Sequence, residues 1–340
     1  MTDGNAEYRY TNTAVLSVTA LEAPVVVTSD QIDEELGDTL KRLRLRRGML
    51  QRIAGIQERR WWHEGFSFAD GAAMVGAKAL SEAGVDARDV GLLINTSVSR
   101  AHLEPSTAVA IHHSLELPPS ALNFDIANAC LGFVNGIQVA ANMIDAGQIQ
   151  YALIVAGESS RAAQQATIDR LRRPDATRAD VREQFATLTL GSGAAAMVLG
   201  AADRNTHGHR LVGGVSRAAT QHHELCVGDN TRMRTDAKGL LDAGLELGEA
   251  TWAQVGPWDW QDMDLYVMHQ VSAAHTRGVV DRLGLDPRRV PETFPLLGNV
   301  GPASLPLTLA QHADSLTSGD RVLCMGVGSG LNTCALEIVW

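Results

Sequence analysis

The chain has 340 residues, 45% of them hydrophobic and 20% charged, with a formal net charge of −10 at pH 7. This composition is typical of a globular protein with a large core, and the negative charge argues against nucleic acid as the main partner. No apolar run approaches the roughly 20 residues of a membrane-spanning helix, and the polar first residues show no signal-peptide pattern. Four cysteines are too few for a disulfide framework, which favours a cytoplasmic protein.

The first third of the chain alternates between predicted strands and helices. Apolar and polar residues alternate over 13–28 and predict a strand, and Thr28 is placed to cap a helix through the 30s and 40s. Residues 68–83 form an Ala-rich helical pattern that Gly84 ends. Residues 89–99 contain an apolar run, which predicts a strand of a sheet that is covered on both faces.

Basic residues are concentrated in three segments despite the net negative charge. They lie at 41–47, at Arg59 and Arg60, and across residues 160–186, which we interpret as a polar, Arg-rich helical insertion outside the core. Each segment is either a solvated surface or a contact for phosphates such as those of CoA. Arg59 and Arg60 are the candidate phosphate contacts, and the residues alone leave both interpretations open.

Cys130 lies at a predicted strand-to-helix junction. The residues before it alternate as in a strand, and from about Leu131 onward they follow the pattern of an apolar helix. The small neighbours Ala129 and Gly132 allow another molecule to approach the backbone. At a helix N-terminus, free N–H groups stabilise a thiolate and the oxyanion of an attacked thioester. Cys130 is therefore a candidate nucleophile, with a small core residue as the alternative.

An internal repeat indicates a duplicated α/β unit. Residues 89–99 align without gaps to residues 262–272, and residues 147–157 correspond to residues 319–328 at a nearly constant offset. Two copies of such a unit predict a pseudo-twofold axis, at which the ends of equivalent strands meet and ligands bind.

The repeat divides the chain into an N-terminal half over 1–203, which contains the insertion, and a C-terminal half over 204–340. In this register His269 falls at a strand end, and Asn299 falls near the position equivalent to Cys130. Three polar side chains from separate segments are therefore expected to converge on one axis. This convergence favours the nucleophile interpretation of Cys130.

The predicted site contains uncharged hydrogen-bond donors. His269 and Asn299 offer an imidazole N–H and an amide N–H for a carbonyl oxygen. The glycine-rich turn at 326–332, with Ser329 and Gly330 at its centre, is placed to aim a backbone N–H at the same oxygen. It lacks the rest of a dinucleotide fingerprint, and the sequence contains no tetrahedral metal-ligand spacing, so we expect neither a nucleotide cofactor nor a metal.

Glu104 lies before Pro105, in a loop that is expected to enter a helix with Pro105 in its first turn. A carboxylate at this position is either an ordinary helix N-terminal residue or a functional group. The residues alone favour the helix end.

Together, the motifs NACLGF (128–133), HQVS (269–272) and GNVGPAS (298–304) resemble the Cys-His-Asn set of thiolase-fold condensing enzymes, and within them the ketoacyl synthase III type. The segment GIQERR (55–60) also fits, and the resemblance covers nearly the whole chain. HQVS and GNVGPAS stand where ketoacyl synthase III has HQAN and GNTSAAS, and the tryptophan that this family places before GIxxR is absent. With residues 93–107, these departures are similar to the OleA-type thiolases of long-chain olefin biosynthesis, which join two fatty acyl-CoA molecules head to head without decarboxylation.

The resemblance implies an α/β thiolase fold of five layers, α/β/α/β/α, in a homodimer that uses long-chain acyl-CoA and no further cofactor. Cys130 would take the first acyl chain as a thioester. His269 and Asn299 would bind the carbonyl of the second acyl-CoA and stabilise its enolate. Backbone N–H groups near Cys130 and Gly330 would form the acyl oxyanion hole.

The resemblance also implies that Glu104 acts across the dimer and removes the α-proton of the second acyl-CoA. Malonate forms a carbanion by losing CO2, whereas an ordinary acyl-CoA needs a base. The alternatives are a ketoacyl synthase III-like enzyme with a malonyl or other acceptor, the partner subunit of a β-lactone-forming pair, and a scaffolding subunit without turnover. A reductase or a ligase is the expected downstream partner.

Overall fold

The computed structural model describes residues 4–229 and 232–340. Residues 1–3, which belong to the predicted N-terminal half and to the signal-peptide expectation, lie outside the described residues. The strands are β1 (Ala6–Arg9), β2 (Thr13–Glu22), β3 (Val25–Thr28), β4 (Glu58–Trp61), β5 (Leu92–Asn95), β6 (Leu122–Asp125), β7 (Tyr151–Glu158), β8 (Gly193–Ala201), β9 (His209–Ala218), β10 (Cys226–Gly228), β11 (Met233–Thr235), β12 (Leu265–Met268), β13 (Arg321–Gly328) and β14 (Asn332–Val339). The α-helices are α1 (Ser29–Glu35), α2 (Gly37–Arg42), α3 (Phe68–Ala83), α4 (Thr107–Ser114), α5 (Gly132–Asp145), α6 (Arg161–Leu171), α7 (Arg178–Gln184), α8 (Ala237–Trp252), α9 (Ala273–Leu283), α10 (Phe294–Leu297) and α11 (Ser304–His312).

The main sheet consists of two half-sheets with the same internal order. The first half-sheet runs β6-β5-β7-β8-β2, and the second runs β12-β13-β14-β9, with β1 added on β9. Only two residue pairs, Ala14 with Arg210 and Val15 with His209, join β2 to β9 between the halves. Since β12 and β13 occupy the places of β5 and β7, the predicted duplication is confirmed.

Alternating side chains on the strands build the layers. On β7, Leu153 and Val155 face a cluster with α3, whereas Ala152 and Ile154 face a cluster with α5. On the second half-sheet, Val322 faces this same middle cluster. The opposite face of that half-sheet packs against residues of α8 and α9. A strand places successive side chains on opposite faces, so this alternation yields the predicted order α/β/α/β/α.

Several local predictions hold, and three need correction. Gly84 ends α3 with φ 65°, and Thr28 forms a capping box at α1. The predicted strand over 13–28 is two strands, because Pro24 has no N–H for the ladder. The predicted helix of the 30s and 40s divides at Leu36 into α1 and α2. The helix after the Glu104 segment begins only at Thr107, so Pro105 precedes it.

The Arg-rich segment forms helices α6 and α7, in agreement with the helical prediction. Ile168 and Leu171 of α6 pack with Ile32 and Leu36 in a cluster that contains no strand of the main sheet. The segment therefore belongs to a small helical layer beside the two half-sheets. The division of the chain near residue 203 stays a prediction, and β1 at the start of the chain pairs with β9 of the second half.

Within the described residues, no helix has both the length and the apolar character needed to cross a membrane.

Candidate active site

Cys130 lies in a tight elbow between β6 and α5, as the sequence predicted. Ala129 has a φ of 46°, a left-handed conformation that non-glycine residues rarely adopt. A Cβ at Gly132 would lie 3.1 Å from the carbonyl oxygen of Thr96, so the elbow packs directly on the end of β5. Cys130 itself is half-buried and carries a free thiol. A strained turn with a partly accessible thiol is suited to a nucleophile.

The resting state of Cys130 differs from the thiolate that the sequence predicted. Burial raises the pKa of the Cys130 thiol to about 12, and the nearby charge of Glu158 adds to this effect. The N–H groups of Leu131 and Gly132 do not reach the sulphur, because they bond the carbonyl oxygens of Asn128 and Ala129. Only the N–H of Cys130 itself lowers the pKa. The free enzyme therefore holds a neutral thiol.

His269 follows β12 directly, and its backbone repeats the geometry of the first half. Its N–H donates to the carbonyl oxygen of Met325 at 2.9 Å, as the N–H of Thr96 donates to that of Val155 at 2.8 Å. His269 is buried, and its Nδ1 has no hydrogen-bond partner in the described residues. Burial, with a smaller effect of His275, lowers the pKa of His269 to about 3. The imidazole is therefore neutral.

Asn299 lies in the turn before α11, and its orientation is set by hydrogen bonds. Its backbone N–H donates to the carbonyl oxygen of Thr189 at 2.9 Å, and its own carbonyl accepts the N–H of Gly191 at 2.8 Å. The side-chain oxygen Oδ1 accepts the N–H of Gly301 at 2.9 Å. Because Oδ1 is occupied, the amide Nδ2 is left to donate to a bound oxygen.

The glycine-rich turn between β13 and β14 packs against the Cys130 elbow. A Cβ at Gly328 would lie 2.8 Å from the carbonyl oxygen of Asn128, so no other residue fits there. The side chain of Asn332 donates to that of Asn128 at 3.3 Å. Ser329 and Gly330 are half-buried at the tip of this turn, next to the elbow. Since His269 bonds β13 and the elbow packs on β13, the structure brings these predicted segments together.

Glu104 lies apart from this cluster, in an exposed loop of residues 98–106 that we call the Glu104 loop. Leu103 beside it is 99% exposed. Within the chain, the carboxylate whose charge raises the pKa of Cys130 is Glu158 rather than Glu104. In a single chain Glu104 therefore faces solvent.

The two arginines expected at CoA phosphates are both engaged by the protein. Arg59 is fully buried, and its guanidinium donates to the carbonyl oxygens of Val27 and Leu188 and to Ser29. A buried guanidinium cannot reach a phosphate at the surface, so the expectation is wrong for Arg59. Arg60 keeps partial exposure but pairs with Glu22 and Glu58 at 3.7 and 3.1 Å.

Two residues near the site were missed by the sequence analysis. Glu158 ends the buried run of β7, and a charged residue at the end of such a strand is a recognisable signal for this edge of the sheet. His275 lies in the first turn of α9 and lowers the pKa of His269. No spacing rule in the sequence indicates this interaction. Among the described residues, no group of three or more His, Cys, Asp or Glu is arranged to hold a metal ion.

Comparisons with known proteins agree with this geometry. The family model of 3-oxoacyl-[acyl-carrier-protein (ACP)] synthase III matches residues 124–217, and the model of its C-terminal part matches residues 255–340. The acyl-CoA:acyl-CoA alkyltransferase of Xanthomonas campestris is 40% identical over 97% of this chain and 99% of its own length. The enzyme of the same name from Shewanella oneidensis is 38% identical over 98% of this chain and 100% of its own length.

Solved structures extend this likeness to three dimensions. Xanthomonas campestris OleA with bound cerulenin superposes with a TM-score of 0.96 at 40% identity, covering 98% of both chains. A structure of that protein with lauric acid and lauroyl-CoA gives a TM-score of 0.95 at 40% identity, over 97% of this chain and 100% of that chain. Variants of that protein with one cysteine, one histidine or one glutamate replaced have also been solved. The chain is thus an acyltransferase of the thiolase fold and belongs to the ketoacyl synthase III-like condensing enzymes, within them to the OleA family of acyl-CoA:acyl-CoA alkyltransferases.

Proposed function

We propose that the chain condenses two long-chain acyl-CoA molecules head to head and releases CoA. Cys130, His269 and Asn299 are suited to acyl transfer and enolate stabilisation in any condensing enzyme of this family. The observation that carries the proposal is the exposed carboxylate of Glu104 on the Glu104 loop, because only a non-decarboxylating condensation needs a base. The names of the relatives and the lauroyl-CoA complex of one of them support the same substrate class.

In the first half-reaction, the sulphur of Cys130 attacks the thioester carbonyl of one acyl-CoA. The acyl group moves to the sulphur, and CoA leaves with the proton of the thiol. A backbone N–H at the nucleophile is suited to stabilise the thioester oxygen that becomes negative, and in this chain that is the N–H of Cys130. We assign this N–H and that of Gly330, with Ser329 in the same turn, to the acyl oxyanion hole.

In the second half-reaction, Glu104 removes the α-proton of a second acyl-CoA. The enolate oxygen accepts hydrogen bonds from the neutral imidazole of His269 and from Nδ2 of Asn299. The α-carbon then attacks the acyl carbonyl on Cys130, the carbon–sulphur bond breaks, and the Cys130 sulphur takes up a proton as Glu104 returns to the carboxylate form. The product is a 2-alkyl-3-oxoacyl-CoA, and hydrolysis of its thioester by water gives the free 3-oxo acid and the second CoA. A neutral His269 suits this role, since a donor without charge needs no counter-ion in a buried site.

Glu104 reaches a reacting carbon if two chains pair across the edge of the sheet. In the part of the chain that the structure describes, strand β6 pairs with β5 alone, so its other edge is open. Leu122 on β6 is 52% exposed, and Val109 on α4 and Leu103 add exposed apolar surface nearby in sequence. Exposed apolar residues beside an open strand edge favour an interface. We propose a homodimer through β6, with Glu104 entering the partner's site.

The remaining assignments follow from the substrate. Arg60 is the candidate for a CoA phosphate contact, with Glu22 and Glu58 to be displaced. We propose a cytoplasmic enzyme, where acyl-CoA is supplied and the cysteines, all free, stay reduced. No cofactor is needed, because the thioester bonds drive both steps. A 3-oxo acid loses CO2 readily, so we propose that a reductase or a ligase consumes the product.

The test is to incubate the purified protein with myristoyl-CoA alone, following thiol release and analysing products by mass spectrometry. We expect repeated turnover and a doubled-chain 3-oxo acid or the ketone derived from it. Glu104→Gln is the matched control, which keeps the shape of the side chain but removes the base. CoA release that stops at one equivalent per Cys130, with product only after addition of a malonyl thioester, would identify a decarboxylating synthase instead.

A further inference from the structure

Glu158 is a buried carboxylate that the proposed reaction does not use. It is the last residue of β7 and is only 6% exposed. Its Oε1 accepts the N–H of Val98 at 2.6 Å, and its Oε2 accepts the N–H and the hydroxyl of Ser99 at 3.0 and 2.7 Å. Three donors from two consecutive residues converge on one carboxylate. This arrangement holds the start of the Glu104 loop against the end of β7.

Both ends of the Glu104 loop are held in this way, while its tip is free. The Ser99 hydroxyl also accepts the N–H of Ser159 at 3.0 Å, which adds a second contact to the same end. Beyond the loop, Asp125 accepts the N–H groups of Thr107 and Ala108 at 3.0 and 2.9 Å. Residues 101–105 between these anchors are exposed. Carboxylates therefore hold both ends of the loop that carries Glu104.

The same carboxyl group lies beside its own subunit's catalytic residues. A Cβ at Gly301, the residue that orients Asn299, would lie 3.4 Å from the carboxyl carbon of Glu158. The charge of Glu158 also raises the pKa of Cys130. The positive charge of Arg100 in turn lowers the pKa of Glu158. Glu158 can therefore have one of two roles. It either acts on Cys130 and Asn299 of its own subunit, or it positions the Glu104 loop.

We infer that Glu158 is a positioning residue that holds the Glu104 loop in place for the active site of the partner subunit. The inference rests on the proposed function, in which Glu104 acts across the dimer. The hydrogen bonds decide between the two roles. The hydrogen bonds to the Glu158 carboxylate come from Val98 and Ser99 of the loop, whereas the N–H of Gly301 donates to Oδ1 of Asn299.

Glu158→Gln separates these roles, because glutamine keeps the shape and the contact with Gly301. Its amide accepts at one oxygen only, and its NH2 group would face the N–H of Ser99, so at least one anchor is lost. We expect condensation to fall on the order of 10²-fold through misplacement of Glu104. Acylation of Cys130 should be retained. Ser99→Ala removes one donor from the same anchor and should give a smaller loss of the same kind.

Mixed dimers test where Glu158 acts. Chains with two different affinity tags are co-expressed, so that dimers of one Glu158→Gln subunit and one Cys130→Ser subunit can be isolated. In this dimer the intact Cys130 belongs to the Glu158→Gln subunit, and its Glu104 loop comes from the Cys130→Ser subunit, where Glu158 is intact. We expect about half of the condensation rate of the wild-type dimer, since one of two sites works.

The control is a mixed dimer of Glu104→Gln with Cys130→Ser, which tests the proposed function by itself. If this control recovers activity but the Glu158→Gln mixed dimer does not, Glu158 acts within its own site and the inference is wrong. If neither dimer recovers, Glu104 does not act across the interface, and the proposed dimer mechanism and the inference both fall. Full condensation by a Glu158→Gln homodimer would also overturn the inference. Should Glu158→Gln not fold, Ser99→Ala takes its place in the same mixed dimer.

Discussion

The two half-sheets place different side chains at equivalent positions. Thr96 follows β5 and His269 follows β12, and the backbone N–H of each bonds the neighbouring parallel strand at nearly equal distance. The Thr96 hydroxyl is used within the fold, where it donates to the carbonyl oxygen of Val155 at 3.1 Å. Among the described residues, Nδ1 of His269 has no such partner. The same backbone position therefore serves stability in one half and, in the proposed mechanism, chemistry in the other.

A second pair of equivalent segments differs in the same way. The Cys130 elbow precedes α5, and the Asn299 turn precedes α11, and both helices pack in the middle layer. The first half has strand β6 before its elbow, which leaves an open edge, whereas the described part of the second half has no equivalent strand. The duplication thus supplies the position of the candidate site, and its asymmetry supplies both the proposed nucleophile and the proposed dimer edge.

The largest effect is expected at the elbow. Cys130→Ser should abolish acyl-enzyme formation, because a serine hydroxyl here has no strong base to activate it. The measurement is intact-protein mass spectrometry after incubation with myristoyl-CoA. Cys226→Ser is the matched control and should still gain one acyl group. An acylated Cys130→Ser protein with the label on another residue would remove Cys130 from the mechanism.

Asn299→Asp should lower the condensation rate by about 10²- to 10³-fold, which is the usual loss for one oxyanion donor. The aspartate keeps the oxygen that accepts the N–H of Gly301, so the turn is preserved, but it replaces the donor Nδ2 with a negatively charged acceptor. Steady-state rates should fall while labelling of Cys130 by the first acyl-CoA continues. Loss of labelling as well would place Asn299 in the first half-reaction.

Thr96→Val tests the other half of the comparison and should hardly change the condensation rate. Valine has the shape of threonine, so only the hydrogen bond to Val155 is lost, at a cost of about 1 kcal/mol in the free energy of unfolding. Denaturant titration measures this cost, and product formation measures the rate. The condensation rate of His269→Asn is measured for comparison. An equally large loss of rate in Thr96→Val would show that the two strand ends are not divided between stability and chemistry.

The last prediction concerns the reactivity of the Cys130 thiol in the free enzyme. Because its pKa is raised to about 12, the reactive thiolate should become about tenfold more abundant with each pH unit from 7 to 10. The rate of alkylation by iodoacetamide, followed on the Cys130 peptide, should rise accordingly without a plateau. Burial raises the pKa of Glu158 to about 7, so its negative charge is complete only above that pH. Glu158→Gln removes this charge and should raise the alkylation rate a few-fold between pH 8 and 10. A plateau below pH 8 would show instead that the helix end stabilises a thiolate.

Much of the site could be predicted from the sequence because the internal repeat aligns each strand of the first half with its equivalent in the second half. The strand patterns place His269 directly after β12 and Cys130 between β6 and α5, and the motifs around them have few other uses. Local signals also sufficed for the end of α3 at Gly84. Predicted boundaries of strands and helices were less accurate, as the break at Pro24 and the start of α4 at Thr107 show. Such boundaries depend on the conformation of a single turn.

The amino-acid sequence by itself was enough to predict the thiolase fold of this protein, its Cys-His-Asn set and its membership of the condensing enzymes. Tertiary structure alone decided which charged groups are free to act. Arg59 and Arg60 are adjacent in the sequence, yet Arg59 is buried against carbonyl oxygens and Arg60 keeps partial exposure. Cys130 is a thiol rather than a thiolate, and Glu158, which was not predicted from the sequence, lies close enough to raise the pKa of Cys130. Each of these outcomes depends on burial and on neighbours distant in sequence, and a pKa depends on both.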